Sequence, residues 1–366
     1  MKKLICLLLT AVMTLSLAAC GNSKSSSAAA PSGGSSSSAS TTAINPADYG
    51  LTTKVTSTNK ITIRLAYDVA EAHPSHKATV EKFQTALEGI SGGNITVELY
   101  PNSQLGSLAE NLESMRIGDL EMTYLNDGTI GAVVPEWNLV GLPYLWTSLD
   151  AAHEALDGDF GQLLNEKLKS ATGIINLGWG DVGFRNITNS SRSIKTPEDM
   201  KGLKIRTMTN ALHVEYFTAL GAIPTPMSFS ELFTALQQKT VDGQENPTAL
   251  IYNNALYETQ SYMSVTEHVF TAIGMCIAGE FYNSLPADYQ AVIAEAAANT
   301  MTYQRELITA ENESRLSEIK AAGLEVTIMD ADQKAAFQKV AEDSVYKTAA
   351  KNYGQDLIDM AAAHNK

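Results

Sequence analysis

The sequence predicts an α/β protein of about two domains, joined by one long helix. Three observations carry that expectation. The chain has 366 residues, more than one small core accommodates. From Lys60 onward, stretches with apolar residues at every second position alternate with stretches at helical spacing. Residues 287–322 then hold a helical pattern with no internal Pro. Hydrophobic residues make up 44% and charged residues 18%, the balance of a folded globular chain rather than a disordered one.

The chain opens on an export signal. Lys2 and Lys3 form the basic start, Leu4 to Leu9 and Ala11 to Leu17 the apolar stretch, and small residues precede Cys20. Leu17-Ala18-Ala19-Cys20 is similar to the bacterial lipobox, which implies a diacylglyceryl group on Cys20 as the new N-terminus. Residues 1–19 are therefore read as signal peptide. Their removal leaves 24 basic against 40 acidic residues, a net charge of −16 in place of −14. Such a charge repels phosphate backbones, so nucleic acid is not an expected partner. Residues 20–59 are read as the lipidated Cys and a Ser-rich tether, because SSSAAAPSGGSSSSAS lacks the apolar bulk to offset its ordering entropy. A flexible tether of this length reaches roughly 35 Å.

The folded part follows element by element. Ile61, Ile63 and Leu65 alternate as a strand, and residues 76–91 place Val80, Phe83, Leu87 and Ile90 on one helical face. Gly92-Gly93 ends that helix, and Ile95, Val97 and Leu99 mark a strand stopped by Pro101. A helix around Leu108–Met115, a strand in LEMTYLN, a helix over 151–170 and a strand in GIINLGW continue the order. Repeated β-α-β order predicts parallel sheets flanked by helices. As one helix, residues 287–322 span roughly 54 Å, enough to run between two domains. LEVTIM predicts a last strand and 331–350 a last helix.

Motifs of catalysis are weak. Residues 178–183 match GxGxxG, but FRNITNSSRSI follows, which reads as extended chain and not as the helix a dinucleotide site needs. His73-Pro74-Ser75-His76 lacks a third ligand at an obvious spacing, so no metal is expected. Cys276 sits in the apolar run VFTAIGMCIAG without a Cys or His beside it and reads as a buried small residue. HExxH, GxSxG and Walker A sequences are absent from the chain. No cofactor and no enzymatic activity are expected.

The informative stretch is 183–247. Thr196-Pro197-Glu198-Asp199 opens a helical turn, Leu203, Ile205 and Thr207 share one side of a strand, and Arg206 faces the other side or sits at its end. In α/β sheets, ligands sit at the carboxyl ends of strands. Ser228 or Ser230 can cap ELFTALQQ.

The runs GLKIR, LGAIPTPMSFSELFTALQ and VDGQENP closely resemble the DctP-type substrate-binding proteins of tripartite ATP-independent periplasmic (TRAP) transporters. LYPNSQLG and LPYLW upstream, with TEHVF and SLPADYQAVIAEAA downstream, continue the likeness from about Lys60 to at least Ala322. The resemblance implies a two-domain periplasmic-binding-protein-like fold, with a ligand cleft between the domains and a long helix spanning both. It places one domain at 60–182 plus 272–311 and the other at 183–271 plus 312–366. It also implies function: an extracytoplasmic, lipid-anchored monomer that captures a small organic acid and delivers it to the small and large membrane subunits of an ion-gradient-driven permease. Two other classes stand beside transport, a sensory binding protein presenting ligand to a membrane receptor and a cleft enzyme acting on a small acid.

By the same resemblance, Arg206 matches the arginine that pairs with a ligand carboxylate. Its planar fork of N–H donors suits two carboxylate oxygens. Arg185 matches a second arginine near the cleft, with an interdomain ion pair as the competing role. Asn246 matches a ligand-bonding amide and Phe229 an aromatic wall. Asp68 and Asn126 stand at strand ends of the first domain, and Thr209, His213 and Trp179 are candidates for shaping ligand choice. Glu245 is expected outside the site, since beside Arg206 it would compete with the ligand. Candidate ligands are a dicarboxylate, a 2-oxo acid, a sialic acid or a sugar acid, with His213, Thr209 and Asn126 tilting toward a hydroxylated one.

Overall fold

The alternating apolar positions of the first segments build β1 (Ile61–Ala66), β2 (Ile95–Tyr100) and β3 (Met122–Asn126). In the computed structural model, which describes residues 44–365, β1 lies between β2 and β3 and runs parallel to both. The signal peptide, Cys20 and the Ser-rich run lie outside the described residues. Ile63 and Leu65 of β1 are fully buried in a core with Phe83, Leu87 and Val97.

The sheet is completed by β4 (Ile174–Phe184) and β10 (Phe270–Ala278), giving the order β2-β1-β3-β10-β4. The second sheet contains β5 (Asn186–Asn189), β6 (Lys204–Thr207), β7 (Ile223–Pro226), β8 (Gly243–Asn246), β9 (Tyr262–Val265) and β11 (Glu325–Ile328). Its order is β11-β9-β5-β8-β6-β7. The expectation of parallel sheets needs correction. β10 pairs antiparallel with β3 and β4, and β5 pairs antiparallel with β8 and β9. The reason is topological. β4 passes into β5 through Arg185 alone, and β9 returns to β10 through residues 266–269, so the two crossings form one antiparallel ribbon shared by both sheets. Arg185 N–H donates to the Val269 carbonyl (2.7 Å) and His268 N–H to the Arg185 carbonyl (3.3 Å), which carries the ladder through the crossing.

The long helix is Ala287–Ala321, 35 residues, about 52 Å at 1.5 Å per residue. It packs along β4, and the glycines of the GxGxxG match explain how. A Cβ on Gly178 would sit 3.1 Å from Met301 Cγ, and one on Gly180 would sit 2.6 Å from Gln304 Oε1. These glycines let a strand approach a helix closely, and β4 runs on through the motif with no helix starting there. Farther along, Asn312 donates to the Val182 carbonyl (3.1 Å) and accepts from Ala249 N–H (2.8 Å), tying the helix to both lobes.

Four further expectations are corrected. Residues 44–59, read as tether, are docked on the long helix: Thr52 and Thr53 N–H groups donate to Glu295 at 3.0 Å each, and those of Thr56 and Ser57 to Asp288 at 2.8 Å each. Hydrogen bonds from Ser57 and Thr56 hold the Asp288 carboxyl well below the usual range. This docking combines those backbone donors with Leu51, buried in the core, and with Ile44, Tyr49 and Val55 packed against it. The expected helix at 151–170 is two helices, Leu149–Asp157 and Asp159–Thr172, broken where Gly158 turns extended at φ −94°, ψ −155°. The expected helix at 331–350 likewise divides into Ala331–Asp343 and Val345–Tyr353 at Ser344. The helix expected at 76–91 runs as Pro74–Ala78, a π-helical stretch Thr79–Gln84, and Thr85–Ile90.

Candidate functional site

The carboxyl ends of the parallel strands of both sheets face one cleft, where α/β sheets place ligands. From the first sheet come Asp68 after β1, Ser103 after β2 and Asn126 at the end of β3. From the second come Arg206 and Met208 at β6, Met227 after β7 and Asn246 at the end of β8. Two adjoining cavities occupy the cleft, and Asp68, Leu108, Asn126, Arg206, Met208 and Phe229 line both.

Arg206 is the buried cation of this cleft, 2% exposed. Its Nε and Nη2 donate to the Met227 carbonyl at 3.1 and 2.8 Å, and its Nη1 has no protein acceptor among the described residues. Burial, with Arg185 nearby, lowers its pKa to about 10, so it stays protonated at neutral pH. Asp68 shares both cavities with it. Burial raises the Asp68 carboxyl to about 6, and the Arg206 charge pulls against that rise.

Arg185 is buried too, but its fork is occupied. Nε and Nη2 hold the Glu245 carboxylate, Nη2 also meets Asn246 Oδ1 (2.8 Å), and Nη1 meets Thr271 Oγ1 (3.2 Å). Glu245 lines neither cavity, as the sequence suggested, but it is a fully buried partner of a lining arginine. It sits on β8, whose four residues are all buried between β5 and β6, and serves as the counter-ion of Arg185. Burial alone would raise its carboxyl, but the Arg185 charge, with His268 Nε2 3.4 Å away, outweighs that and holds it well below the usual range.

Seven of the nine candidate ligand residues line the cavities: Arg206, Asp68, Asn126 and Phe229 line both, Arg185 and Asn246 one, and Thr209 the other. Phe229 opens the helix Phe229–Gln237, whose start is fixed by a reciprocal Ser228–Glu231 cap. Thr209 Oγ1 donates to the Gly128 carbonyl of the opposite lobe (3.2 Å). Asn246 has its amide bonded on both sides, accepting from Arg185 and donating to Gln244 Oε1 (2.5 Å).

His213 and Trp179 do not reach the cavities. His213 is fully buried and points at the Gly141 carbonyl (3.0 Å), where a Cβ on Gly141 would come within 2.5 Å of its ring. Burial lowers its pKa to about 3, so it is neutral. Trp179 stacks on Trp137 at 4.5 Å between ring centroids and belongs to the core. Conversely, the sequence reading missed Met208, Met227, Leu108 and Tyr124. Met208 stands two residues after Arg206 and so shares its side of the chain, the one signal available; the others carry none.

Among the described residues no group of His, Cys, Asp and Glu is placed to hold a metal ion, and no helix is long and apolar enough to cross a membrane. Cys276 is buried in β10, and burial pushes its thiol well above the usual range.

Two lobes, a shared ribbon, a crossing helix and a charged cleft at strand ends define a two-domain α/β binding protein. Residues 65–352 match the DctP family, described as bacterial extracellular solute-binding protein, family 7. The chain is 32% identical over 300 residues to the C4-dicarboxylate-binding periplasmic protein DctP of Rhodobacter capsulatus, covering 81% of this chain and 89% of that one. It superposes on the sugar acid binding protein DctPAm of Advenella mimigardefordensis, solved with galactonate, with a TM-score of 0.81 and 31% identity over 84% of this chain and 100% of that one. A TRAP periplasmic solute-binding protein of Sulfurospirillum deleyianum, solved with succinate, gives a TM-score of 0.80 at 28% identity, covering 84% of this chain and 100% of that one. The chain belongs to the DctP family of TRAP-type extracytoplasmic solute-binding proteins.

Proposed function

We propose that this protein captures a small organic acid in the cleft and delivers it to the membrane subunits of an ion-gradient-driven TRAP permease, held at the membrane as a monomer by lipid on Cys20. The observation that carries the reading is Arg206: a buried, protonated guanidinium at the carboxyl end of β6, with one N–H edge unclaimed by protein and open cavity beside it. A guanidinium removed from water favours an anionic partner, and a carboxylate matches its fork. Met227 fixes the far edge of the group, so the free edge is presented in one orientation. Phe229, Met208 and Leu108 supply apolar walls that exclude water from the pair.

The single-residue crossing at Arg185 and the short return at 266–269 suit a hinge between the lobes, which moves Asp68 and Asn126 relative to Arg206. The galactonate and succinate bound by the two similar structures are small organic acids, which supports an acid ligand here.

A thermal-shift screen of organic and sugar acids tests the reading. A ligand confined to the native state at a hundredfold excess over Kd adds about 2.7 kcal/mol of stability. At least one acid is expected to raise the melting temperature, while ATP and NAD leave it unchanged. No response to any acid, or a response to NAD, would overturn it.

A further inference from the structure

Resting on that reading, we infer that Asp68 selects an acid with one carboxylate and a hydroxylated chain, and turns dicarboxylates away. The inference comes from counting the charges that line the cavities. Apart from the phenol of Tyr124, the ionisable lining groups are Asp68, Arg206 and Arg185. Arg185 is already matched by Glu245 beneath it, so it offers the cleft little net charge. Tyr124 is buried and hydrogen-bonded to Thr79 (2.6 Å), and burial holds it in the neutral form.

What remains is one available cation and one carboxylate. When a ligand carboxylate takes Arg206, Asp68 loses its share of that positive charge, and in mildly alkaline solution it remains an ionised, acceptor-only group. A second ligand carboxylate would then enter a buried site beside an ionised Asp68, with no further cation among the described lining residues to receive it. Like charges in such a site disfavour each other strongly. A hydroxyl group resolves the situation, because its O–H donates to Asp68 in a charge-assisted hydrogen bond. The surroundings agree: Ser103, Asn126, Thr129 and Ser230 line the same cavity with neutral polar groups that suit hydroxyls. In the free cleft, with the Arg206 charge beside it, the raised carboxyl of Asp68, at about 6, is still largely ionised in neutral solution.

The test is competition binding by calorimetry in neutral to mildly alkaline buffer. One arm holds gluconate, galactonate and glucuronate; the other holds succinate, malate and fumarate; serine serves as a zwitterion able to satisfy Asp68 by an ammonium. The expected result is that the tightest polyhydroxy monoacid binds at least tenfold better than the tightest dicarboxylate. Asp68→Asn, which keeps shape and removes charge, should narrow that gap at least tenfold, and Asp68→Glu should keep it. Melting temperatures without ligand confirm that the variants fold. A dicarboxylate that binds the unaltered protein as well as any polyhydroxy acid, a gap unchanged in Asp68→Asn, or serine as the best ligand would overturn the inference while leaving acid capture intact. Binding of no acid at all would instead refute the solute-binding reading.

Discussion

Glu245→Gln strands a buried charge, and the structure sets the size of the effect. Arg185 is 1% exposed and Glu245 fully buried, with both Nε and Nη2 of the arginine on the carboxylate. Removing one partner of such a pair leaves the other unmatched and costs about 3–5 kcal/mol. Gln keeps the shape and one acceptor, so the lower end of that range applies. At roughly 2 °C per kcal/mol for a chain of this size, the melting temperature should fall by roughly 6 °C. The pH sign follows from the depressed carboxyl. Glu245 contributes stability that is full above its ordinary value of 4.5 and is lost as pH falls through its lower folded value. The loss in the variant should therefore be largest at neutral pH and shrink in acid. Calorimetric unfolding from neutral to acid pH measures it, with Arg185→Met/Glu245→Gln as the control in which both charges are gone. That double variant should recover much of the loss. A single variant within about 1 °C of the parent at neutral pH, or a double variant less stable than the single, would refute the paired-charge account.

Three other outcomes are expected. Asp127 is buried with its carboxyl pushed up to about 7 by burial, against a hydrogen bond from Asn210 (2.9 Å), so the native state loses stability as pH rises from 3.8 to about 7; Asp127→Asn should melt higher than the parent at pH above that window, and equal or lower melting would contradict the assignment. Trp179→Ala should cost about 3–5 kcal/mol of unfolding free energy by emptying the stack on Trp137, yet leave acid affinity within about twofold; a selective loss of affinity would return Trp179 to the site. Cys20→Ser should release the protein from membranes in cell fractionation without changing acid binding, and unchanged membrane association would end the anchor proposal.

The parts legible in sequence are those fixed by local pattern. Alternation marked β1 and β2, the unbroken helical register marked Ala287–Ala321, and Ser228 or Ser230 marked a cap near the start of the Phe229 helix. The pattern of β6 put Arg206 on a strand or at its end, while its role toward a carboxylate came only from the family resemblance. What stayed hidden depends on distant partners. The antiparallel ribbon rests on pairing such as Phe184 with Phe270, far apart in the chain. The buried pairing of Glu245 stayed hidden because its counter-ion lies 60 positions away. His213 and Trp179 are polar and aromatic residues of the kind that line sites, and only packing against Gly141 and Trp137 shows them to be interior. Residues 44–59 follow the Ser-rich run in sequence, and the docking of Leu51, Tyr49 and Val55 on the core, with backbone donors held by Asp288 and Glu295, depends on partners more than 200 positions away.

Isothermal titration of the cognate acid into the parent, Arg206→Ala and Arg206→Lys tests carboxylate capture most directly. Truncating one partner of a buried charge pair costs about 2–5 kcal/mol, so Arg206→Ala should bind at least about 30-fold more weakly. Arg206→Lys should recover part of that loss, since a point charge cannot offer two parallel N–H donors. An Arg206→Ala protein that binds the acid within a factor of two of the parent would contradict the account.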